Sequence, residues 1–328
     1  MAEPPLLQVE QLHTEIKTKK GLVRPVNGVS LSLQRGRVLG VMGESGSGKT
    51  MTALSILRLV PYPGRITSGR VVFEGRDLLA LKQDDLREIR GRDIATVFQD
   101  AASALNPTIT VGSQLEEAIT THLSISKREA QRLCEEALAR VGLPDPKTLL
   151  SRYTFQLSGG MCQRVMLAMA MILNPKVLIA DEPTTGLDVT LQAEILQHIS
   201  GLKKNLGSAV LLISHDLGVI AQMADEVAVM YAGYVVEKSD VVTLFHKPVH
   251  PYTWGLIKSI PRVDAPEAPL LSLPGRPPDM LNLGEGCPFL PRCHKAVNEC
   301  RLQPMPEMRE IEPGHWVSCY NPVRHDWD

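Results

Sequence analysis

Two glycine-rich turns in this sequence have the residue types to hold a phosphate group. The first, GESGSGKT at residues 43–50, fits the pattern GxxxxGK[ST] and is called the phosphate loop below. Its glycines let backbone N–H groups wrap a phosphate, its lysine can reach the β- and γ-phosphates, and its threonine hydroxyl can bind Mg²⁺. An ordinary glycine turn is the alternative. The predicted nucleotide contacts are Gly43, Ser45, Gly46, Gly48, Lys49 and Thr50.

The second turn lies in LSGGMCQR at residues 157–164, where a helical pattern begins. Ser158 is suited to cap that helix, and Gly159 and Gly160 let an anion approach the backbone closely. The N-terminus of a helix attracts negative charge because its amide groups and its dipole point outward. We therefore expect a second phosphate contact at these three residues, with a plain helix cap as the alternative.

Polar side chains follow three apolar stretches that look like buried strands. In VLIADEP, Asp181 could hold Mg²⁺ through water and Glu182 could polarise an attacking water. Gln99 ends DIATVFQ and could bind Mg²⁺ or water, and His215 ends SAVLLIS and could donate to a γ-phosphate. Ligands of α/β proteins bind at the carboxyl ends of parallel strands, so this placement predicts one nucleotide site.

The strands and helices that must position these residues are predicted to form an α/β fold. Apolar or strand-like stretches occur at 22–33, 37–43, 69–75 and 93–99. Those at 176–181 and 208–214 are almost wholly apolar, as expected for parallel strands buried on both faces. The phosphate loop lies between a strand and the helical stretch 51–60, and 191–207 reads as a crossover helix. The pattern predicts a nucleotide-binding domain of the P-loop type.

A helical subdomain is expected at about 103–172, inserted between strands of that core. One helix in it is well marked, because Ser126 and Glu129 form a capping-box pattern and Gly142 ends the periodic stretch. Cys134 falls on the apolar face of this helix, which favours packing over chemistry.

Composition limits the classes of partner and compartment. The chain of 328 residues has 35 Lys and Arg against 36 Asp and Glu, which gives no indication of nucleic-acid binding. The N-terminal segment lacks a secretory pattern, and the longest apolar run, 165–173, is about half of the ~20 residues that a spanning helix needs. We therefore expect any role at a membrane to depend on a partner protein. We also expect the six cysteines to be in a reducing compartment.

The last part of the chain differs in composition from the rest. Prolines crowd 261–291, and the expected domains are a nucleotide-binding domain over 1–250 and a C-terminal module over 251–328. Four cysteines of this module could hold an iron–sulfur cluster or zinc, although the CxxC pairs usual for zinc are absent. Unligated thiols are the third alternative, and the spacing does not separate them. The four are Cys287, Cys293, Cys300 and Cys319.

Taken together, these motifs resemble the ATP-binding subunit of an ABC transporter. The similarity covers GESGSGKT, the Q-loop residue Gln99, the signature LSGGMCQR, VLIADEP, the D-loop TGLD with Asp188, and SHDL with the switch His215. The stretches HPYTWGLIKSIPR and GCPFLPRC are similar to the branch that imports oligopeptides, dipeptides or nickel complexes. One departure is that the first strand pair has no aromatic residue for adenine to stack on, and Ile16 occupies that place.

The resemblance implies how the parts would work together. Two nucleotide-binding domains would pack head to tail, so that residues 158–160 of one chain complete the ATP site of its neighbour. Asp188 of the D-loop is a further expected nucleotide-binding residue. The neighbour is expected to be a paralogous ATPase, and two transmembrane permease subunits would dock near Gln99. An extracytoplasmic substrate-binding protein would deliver the cargo to this complex on the cytoplasmic face of the cell membrane.

The expected function is an ATP-hydrolysing motor for peptide import, with ATP and Mg²⁺ as cofactors. Some peptide-importer ATPases with a similar tail carry a [4Fe–4S] cluster, which the resemblance implies on the four C-terminal cysteines, with zinc as the alternative. Three other functions stay open at this point: import of nickel or another metal complex, a soluble ABC ATPase outside transport, and a nucleotide-gated sensor that works through the cysteines.

Overall fold

The computed structural model describes residues 4–259 and 273–324. Part of the proline-rich stretch of the predicted C-terminal module, at 260–272, lies outside the described residues, as does its end at 325–328. The described chain divides into two compact units. Unit 1 comprises residues 4–7, 33–38 and 80–213, and unit 2 comprises the remainder, at 8–32, 39–79, 214–259 and 273–324.

The strands fall where apolar and β-branched residues concentrate. They are β1 (Leu7–Thr18), β2 (Gly21–Leu33), β3 (Val38–Met42), β4 (Gly64–Phe73), β5 (Arg76–Asp77), β6 (Ile94–Val97), β7 (Val177–Asp181), β8 (Ala209–Ile213), β9 (Glu226–Tyr231), β10 (Tyr234–Asp240), β11 (Arg309–Glu312) and β12 (His315–Val317). The strands predicted in the core are confirmed, with bounds that differ by a few residues.

The helices alternate with these strands, as expected for an α/β fold. They are α1 (Lys49–Ile56), α2 (Gln83–Ile89), α3 (Ala101–Ala104), α4 (Val111–Thr120), α5 (Lys127–Arg140), α6 (Pro146–Leu150), α7 (Gly159–Met171), α8 (Val189–Leu206), α9 (Leu217–Met223), α10 (Val241–His246), α11 (Pro251–Lys258) and α12 (Asn298–Leu302). In the part of the chain that is described, no helix combines the length and the apolar character needed to cross a membrane.

Unit 1 is built on three parallel strands in the order β6-β7-β8. Both β7 and β8 are buried along their whole length, which explains why their sequences are almost wholly apolar. Helices α3 to α7 lie between β6 and β7 in the chain and pack on one another, within the stretch where a helical subdomain is expected.

The helix α5 tests the capping prediction. The Ser126 hydroxyl accepts a hydrogen bond from the Glu129 N–H at 3.2 Å, as the pattern predicts. The Glu129 carboxylate pairs with Arg132, one turn further along, instead of returning to the cap. Cys134 is fully buried on the inner face, and its burial raises the pKa of the thiol to about 12.

Unit 2 contains two sheets. One has the strand order β2-β1-β4-β5. In the other, β3 pairs parallel with β9, β9 and β10 are antiparallel, and β12 pairs antiparallel with β10, with β11 outermost. Residues beyond 250 thus add the strands β11 and β12 to the sheet that contains β3, the strand that precedes the phosphate loop. The structure therefore does not set the cysteines apart as a separate module. The strands β11 and β12 are too short to show a sequence period.

A buried carboxylate joins β10 to the segments that follow it. Glu237 is fully buried and accepts hydrogen bonds from the N–H groups of Val249 and His250, both at 2.8 Å. Its Oε1 also lies 2.8 Å from Nε2 of His315 on β12. A buried carboxylate is tolerated only when several donors satisfy it, so this residue connects the C-terminal strand to the core of unit 2.

We expect Glu237→Ala to lower the free energy of unfolding by about 3–5 kcal/mol, because it leaves buried donors without their acceptor. The measurement is urea unfolding followed by circular dichroism. Glu226→Ala on the adjacent strand is the control, since its pair with Lys238 is partly exposed and should contribute less than about 1 kcal/mol. Equal losses in the two variants would contradict the assigned role.

Candidate functional site

The phosphate loop lies between the buried strand β3 and helix α1 in unit 2. Two of its glycines are required by close backbone contacts. A Cβ on Gly43 would come within 2.2 Å of the Met230 carbonyl oxygen, and one on Gly48 within 2.0 Å of the Pro25 carbonyl oxygen. Both residues also have positive φ, of 153° and 102°. The sequence therefore folds into this loop because no side chain fits at these two positions.

The polar groups of the loop are arranged around its own backbone. The buried Lys49 ammonium donates to the carbonyl oxygens of Gly43 at 2.8 Å and Glu44 at 3.0 Å. Ser45 and Thr50 are exposed, and Gly46 has a positive φ of 78° with open space where a Cβ would be. The loop thus combines a held cation with accessible hydroxyl and amide groups, which is the chemistry that binds phosphate.

The two acidic residues after β7 have different environments in unit 1. Asp181 is 3% exposed, whereas Glu182 is half-buried and takes a left-handed backbone conformation with φ of 47°. The Glu182 carboxylate accepts hydrogen bonds from Gln99 Nε2 at 3.2 Å and Thr185 Oγ1 at 2.9 Å. The structure therefore brings Gln99 and Glu182 together, and strained backbone of this kind often accompanies functional residues.

The second glycine turn forms the predicted helix N-terminus. Ser158 caps α7 by accepting from the Met161 N–H at 3.3 Å, and the exposed Gly159 has open space where a Cβ would be. A Cβ on Gly160 would lie 2.3 Å from Leu191 Cδ2, so this glycine lets α7 approach α8. The 13-residue helix presents its first amide groups at an exposed end.

Residues just inside this helix connect it to the segment after β7. Gln163, which is buried, donates to the Pro183 carbonyl oxygen at 2.8 Å. Arg164 donates to the Gly142 carbonyl oxygen and pairs with Glu194 of α8. Cys162 is buried within this helix, and its burial raises the pKa of its thiol. These links tie the second turn to the residues that follow Glu182 within unit 1.

The remaining predicted residues lie at helix starts. Asp188 caps α8 by accepting from the Leu191 N–H at 3.0 Å. His215 of unit 2 is exposed and precedes Asp216, which caps α9 through the N–H groups of Gly218 and Val219. His250 caps α11 because its Nδ1 accepts from the Tyr252 N–H, and burial lowers the pKa of its imidazole to about 4. Its role is therefore structural.

Several contacts at the site have no local sequence signal. Thr185 and Gln163 are polar residues within quoted motifs, but their partners at Glu182 and Pro183 are defined only by the fold. Two residues beyond position 250, Tyr252 and Arg292, hydrogen-bond to Glu44 of the phosphate loop. Tyr252 lies in the stretch HPYTWGLIKSIPR and Arg292 is adjacent to Cys293, but neither pattern indicates a partner in the phosphate loop.

The predicted iron–sulfur cluster and its zinc alternative are wrong. Over residues 4–259 and 273–324, no group of three or more His, Cys, Asp or Glu side chains is placed to hold a metal ion. Cys287, Cys293, Cys300 and Cys319 line one small cavity as free thiols. The metal-binding cysteine module expected from composition is therefore not a feature of this structure.

Physical reasons account for this correction. Burial raises the pKa of Cys287 to about 11 and of Cys319 to about 12, as for thiols that pack in a cavity. The segment also has other means of attachment, since Phe289 is buried, Arg292 forms an ion pair, and β12 pairs with β10. A metal staple is not needed to explain how it folds.

Comparison with known families gives two matches along the chain. A family model described as ABC transporter matches residues 26–185, and one described as the C-terminal region of oligopeptide/dipeptide transporters matches residues 236–300. The first match includes the phosphate loop, Gln99, the second glycine turn and Glu182. The second includes β10, α11 and three of the four C-terminal cysteines.

Curated relatives are similar over nearly the whole chain. The dipeptide transport ATP-binding protein DppD of Bacillus subtilis is 45% identical over 96% of this chain and 94% of its own length. The oligopeptide transport ATP-binding proteins OppD of Bacillus subtilis and Escherichia coli are each 43% identical, over 96% and 97% of this chain and 88% and 94% of their own lengths.

Solved structures show the same fold. A dimeric ATP-binding cassette, MJ0796, in a post-hydrolysis state with ADP and Pi, matches with a TM-score of 0.66 at 26% identity and covers 72% of this chain and 98% of its own. The cassette cbiO1 from Clostridium perfringens matches with a TM-score of 0.61 at 27% identity, over 75% and 92%. The chain therefore belongs to the ABC transporter family, as an ATPase subunit of the branch that carries the oligopeptide/dipeptide transporter C-terminal region.

Proposed function

We propose that this protein is the ATP-hydrolysing motor subunit of an importer for dipeptides or oligopeptides. The observation that carries the proposal is the presence in one chain of the ABC transporter match and the peptide-transporter C-terminal match. The relatives named above are peptide transport proteins, which favours peptides over nickel complexes and over ABC proteins outside transport.

Binding of ATP is assigned to the phosphate loop. The amide groups at Gly43, Gly46 and Gly48 and the N-terminus of α1 surround the phosphates, Lys49 neutralises them, and Ser45 adds a hydroxyl. Lys49 exchanges its bonds to the loop carbonyls for bonds to phosphate oxygens. The exposure of Ser45 and Thr50 and the fixed position of the ammonium support these roles.

Mg²⁺ is proposed to bind with ATP through Thr50 and Gln99, with Asp181 holding it through water. Their hydroxyl, amide and carboxylate oxygens are the ligand types that Mg²⁺ prefers. The Gln99 amide nitrogen donates to Glu182, which leaves the amide oxygen as the metal-binding atom. Mg²⁺ held by these residues would offset the negative charge of the phosphates.

Hydrolysis is assigned to Glu182 and His215. Glu182 accepts hydrogen bonds from Gln99 and Thr185, which fix its carboxylate and leave acceptor capacity for one water proton. The glutamate polarises the water that attacks the γ-phosphorus, and His215 donates to the γ-phosphate. The hydrogen bond from His215 stabilises the transition state, in which negative charge is spread over the transferring γ-phosphoryl group.

The second glycine turn and Asp188 are proposed to act on a neighbouring ATPase subunit. Ser158, Gly159 and Gly160 would face the γ-phosphate held by the phosphate loop of that subunit, which we propose is a paralogue. The exposure of Ser158 and Gly159 at the start of α7 supports this role. Closing of the dimer completes the two ATP sites, and hydrolysis reopens it.

The rest of the transporter is proposed to follow the same arrangement. Two permease subunits dock near Gln99, a substrate-binding protein delivers the peptide from outside, and the ATPase lies at the cytoplasmic face of the membrane. Within the chain, residues 1–250 form the nucleotide-binding domain and 251–328 an attached C-terminal region. The pairing of β12 with β10 explains how that region is attached.

We expect Glu182→Gln to keep ATP binding and to lower ATP turnover about 100-fold or more, because the amide cannot accept the water proton. Turnover is measured on the transporter assembled from its own subunits, and ATP binding on the same sample with a fluorescent nucleotide. Glu117→Gln, an exposed glutamate on α4, is the control and should retain turnover. Normal turnover in Glu182→Gln would refute the assignment.

We expect Ser158→Arg to leave ATP affinity of the isolated chain unchanged, since the variant has an intact phosphate loop. In the assembled transporter it should lower ATP turnover about 100-fold, because the bulky cation blocks the helix N-terminus that stabilises the neighbour's γ-phosphate. Ser124→Arg, in the exposed turn before α5, is the control. The assignment is wrong if the assembled Ser158→Arg transporter turns over ATP at the wild-type rate.

A further inference from the structure

Residues from beyond position 250 hold one member of the phosphate loop, Glu44. The Arg292 guanidinium binds the Glu44 carboxylate through two hydrogen bonds, Nη1 to Oε2 at 2.6 Å and Nη2 to Oε1 at 3.0 Å. The Tyr252 hydroxyl oxygen accepts a hydrogen bond from the Glu44 N–H at 2.8 Å. Backbone and side chain of the same loop residue are thus fixed by two groups that are distant in sequence, and all of them lie in unit 2.

The two holding residues are themselves fixed. Arg292 is 6% exposed, and it also donates to the Pro274 carbonyl oxygen at 2.8 Å and to the Tyr231 hydroxyl at 3.3 Å. The rings of Tyr231, Tyr252 and Phe289 pack on one another with centroids 4.5–5.5 Å apart. The hydrogen bond with Glu44 raises the pKa of Arg292 further, so the guanidinium stays charged.

This contact affects the charge of the loop as well as its shape. A carboxylate in a loop that takes up a triphosphate repels that ligand unless a cation neutralises it. The bidentate pair with Arg292 supplies this cation in a site where little water can screen the charge. Each of the three Arg292 nitrogens donates to a protein oxygen, and two of these bonds are to Glu44, so the loop carboxylate is the link between this arginine and the nucleotide site.

We infer that Arg292 and Tyr252 are positioning residues for ATP binding, through which the C-terminal region sets the charge and geometry of the phosphate loop. The inference rests on the proposed ATPase function and adds a contribution from the segment beyond the nucleotide-binding core. It gives that segment a role in the ATP site that does not depend on its cysteines.

The test measures nucleotide affinity of the full-length chain by fluorescence titration with an ATP analogue. Arg292→Met leaves the Glu44 carboxylate without its cation and should weaken ATP binding about tenfold. Adding Glu44→Gln in the same chain removes the unpaired charge and should restore affinity to within about threefold of wild type. Arg309→Met is the control, because this exposed arginine of the same region donates to the Cys319 carbonyl oxygen.

The rescue separates the inferred role from simple loss of structure. If Arg292 only holds the fold together, the double variant binds ATP no better than Arg292→Met, and this result would overturn the inference. Thermal unfolding of each variant shows whether the chain is folded. Should Arg292→Met fail to fold, Arg292→Lys is measured instead; it keeps the charge but loses the bidentate geometry, so an affinity equal to wild type contradicts the positioning role.

Tyr252→Phe provides a second, milder test. It keeps the ring in the aromatic cluster and removes the acceptor for the Glu44 N–H, so the KM for ATP should rise about fivefold, the cost of one unsatisfied buried donor. Tyr320→Phe, whose hydroxyl donates to the Pro304 carbonyl oxygen, is the matched control. Unchanged KM in Tyr252→Phe would contradict the role of this hydrogen bond.

The outcome for the proposed function is separate. Wild-type chain that fails to bind ATP, or an assembled transporter that does not import peptides, contradicts the proposed function. Wild-type binding together with equally tight binding by Arg292→Met and Tyr252→Phe contradicts only the further inference.

Discussion

The close approach of backbone to backbone at the phosphate loop is the constraint on which the site depends. Gly43 and Gly48 lie so near the carbonyl groups of Met230 and Pro25 that a Cβ at either position would overlap them. The loop therefore packs directly against the strand that contains Met230 and the strand that contains Pro25. Phosphate binding by main-chain amides requires a loop held from outside, because glycines supply no rigidity of their own.

The second glycine turn also depends on close packing, in this case of a helix against a helix. Gly160 lets α7 lie against Leu191 of α8, and Gln163 bonds to the backbone just after Glu182. These contacts join the helix N-terminus to the segment that follows Glu182, the proposed general base. Under the proposed function, they would link a neighbour's nucleotide at residues 158–160 to Glu182.

The sequence predicted the parts of the fold whose signals are local. The apolar stretches that became β7 and β8 are buried on both faces, and the phosphate loop is specified by eight consecutive positions. It could not predict β11 and β12, which are too short for a period to show, nor the partners of Tyr252 and Arg292, which are about 200 residues away or more. The cysteines were misread as ligands because composition reports how many thiols a segment has and not whether the chain already holds that segment by other means.

Those other means explain why the C-terminal region matters to the site. Glu237 binds the start of α11 and His315 of β12 through one buried carboxylate, and Arg292 binds Glu44 through one buried guanidinium. If either contact were broken, a buried charged or polar group would be left without its partner, which is energetically costly. Both contacts therefore oppose displacement of the C-terminal region. A carboxylate in a triphosphate-binding loop would oppose binding if it were alone. The bidentate pair with Arg292 compensates the Glu44 charge, and this compensation is the basis for inferring that the C-terminal region contributes to the ATP site.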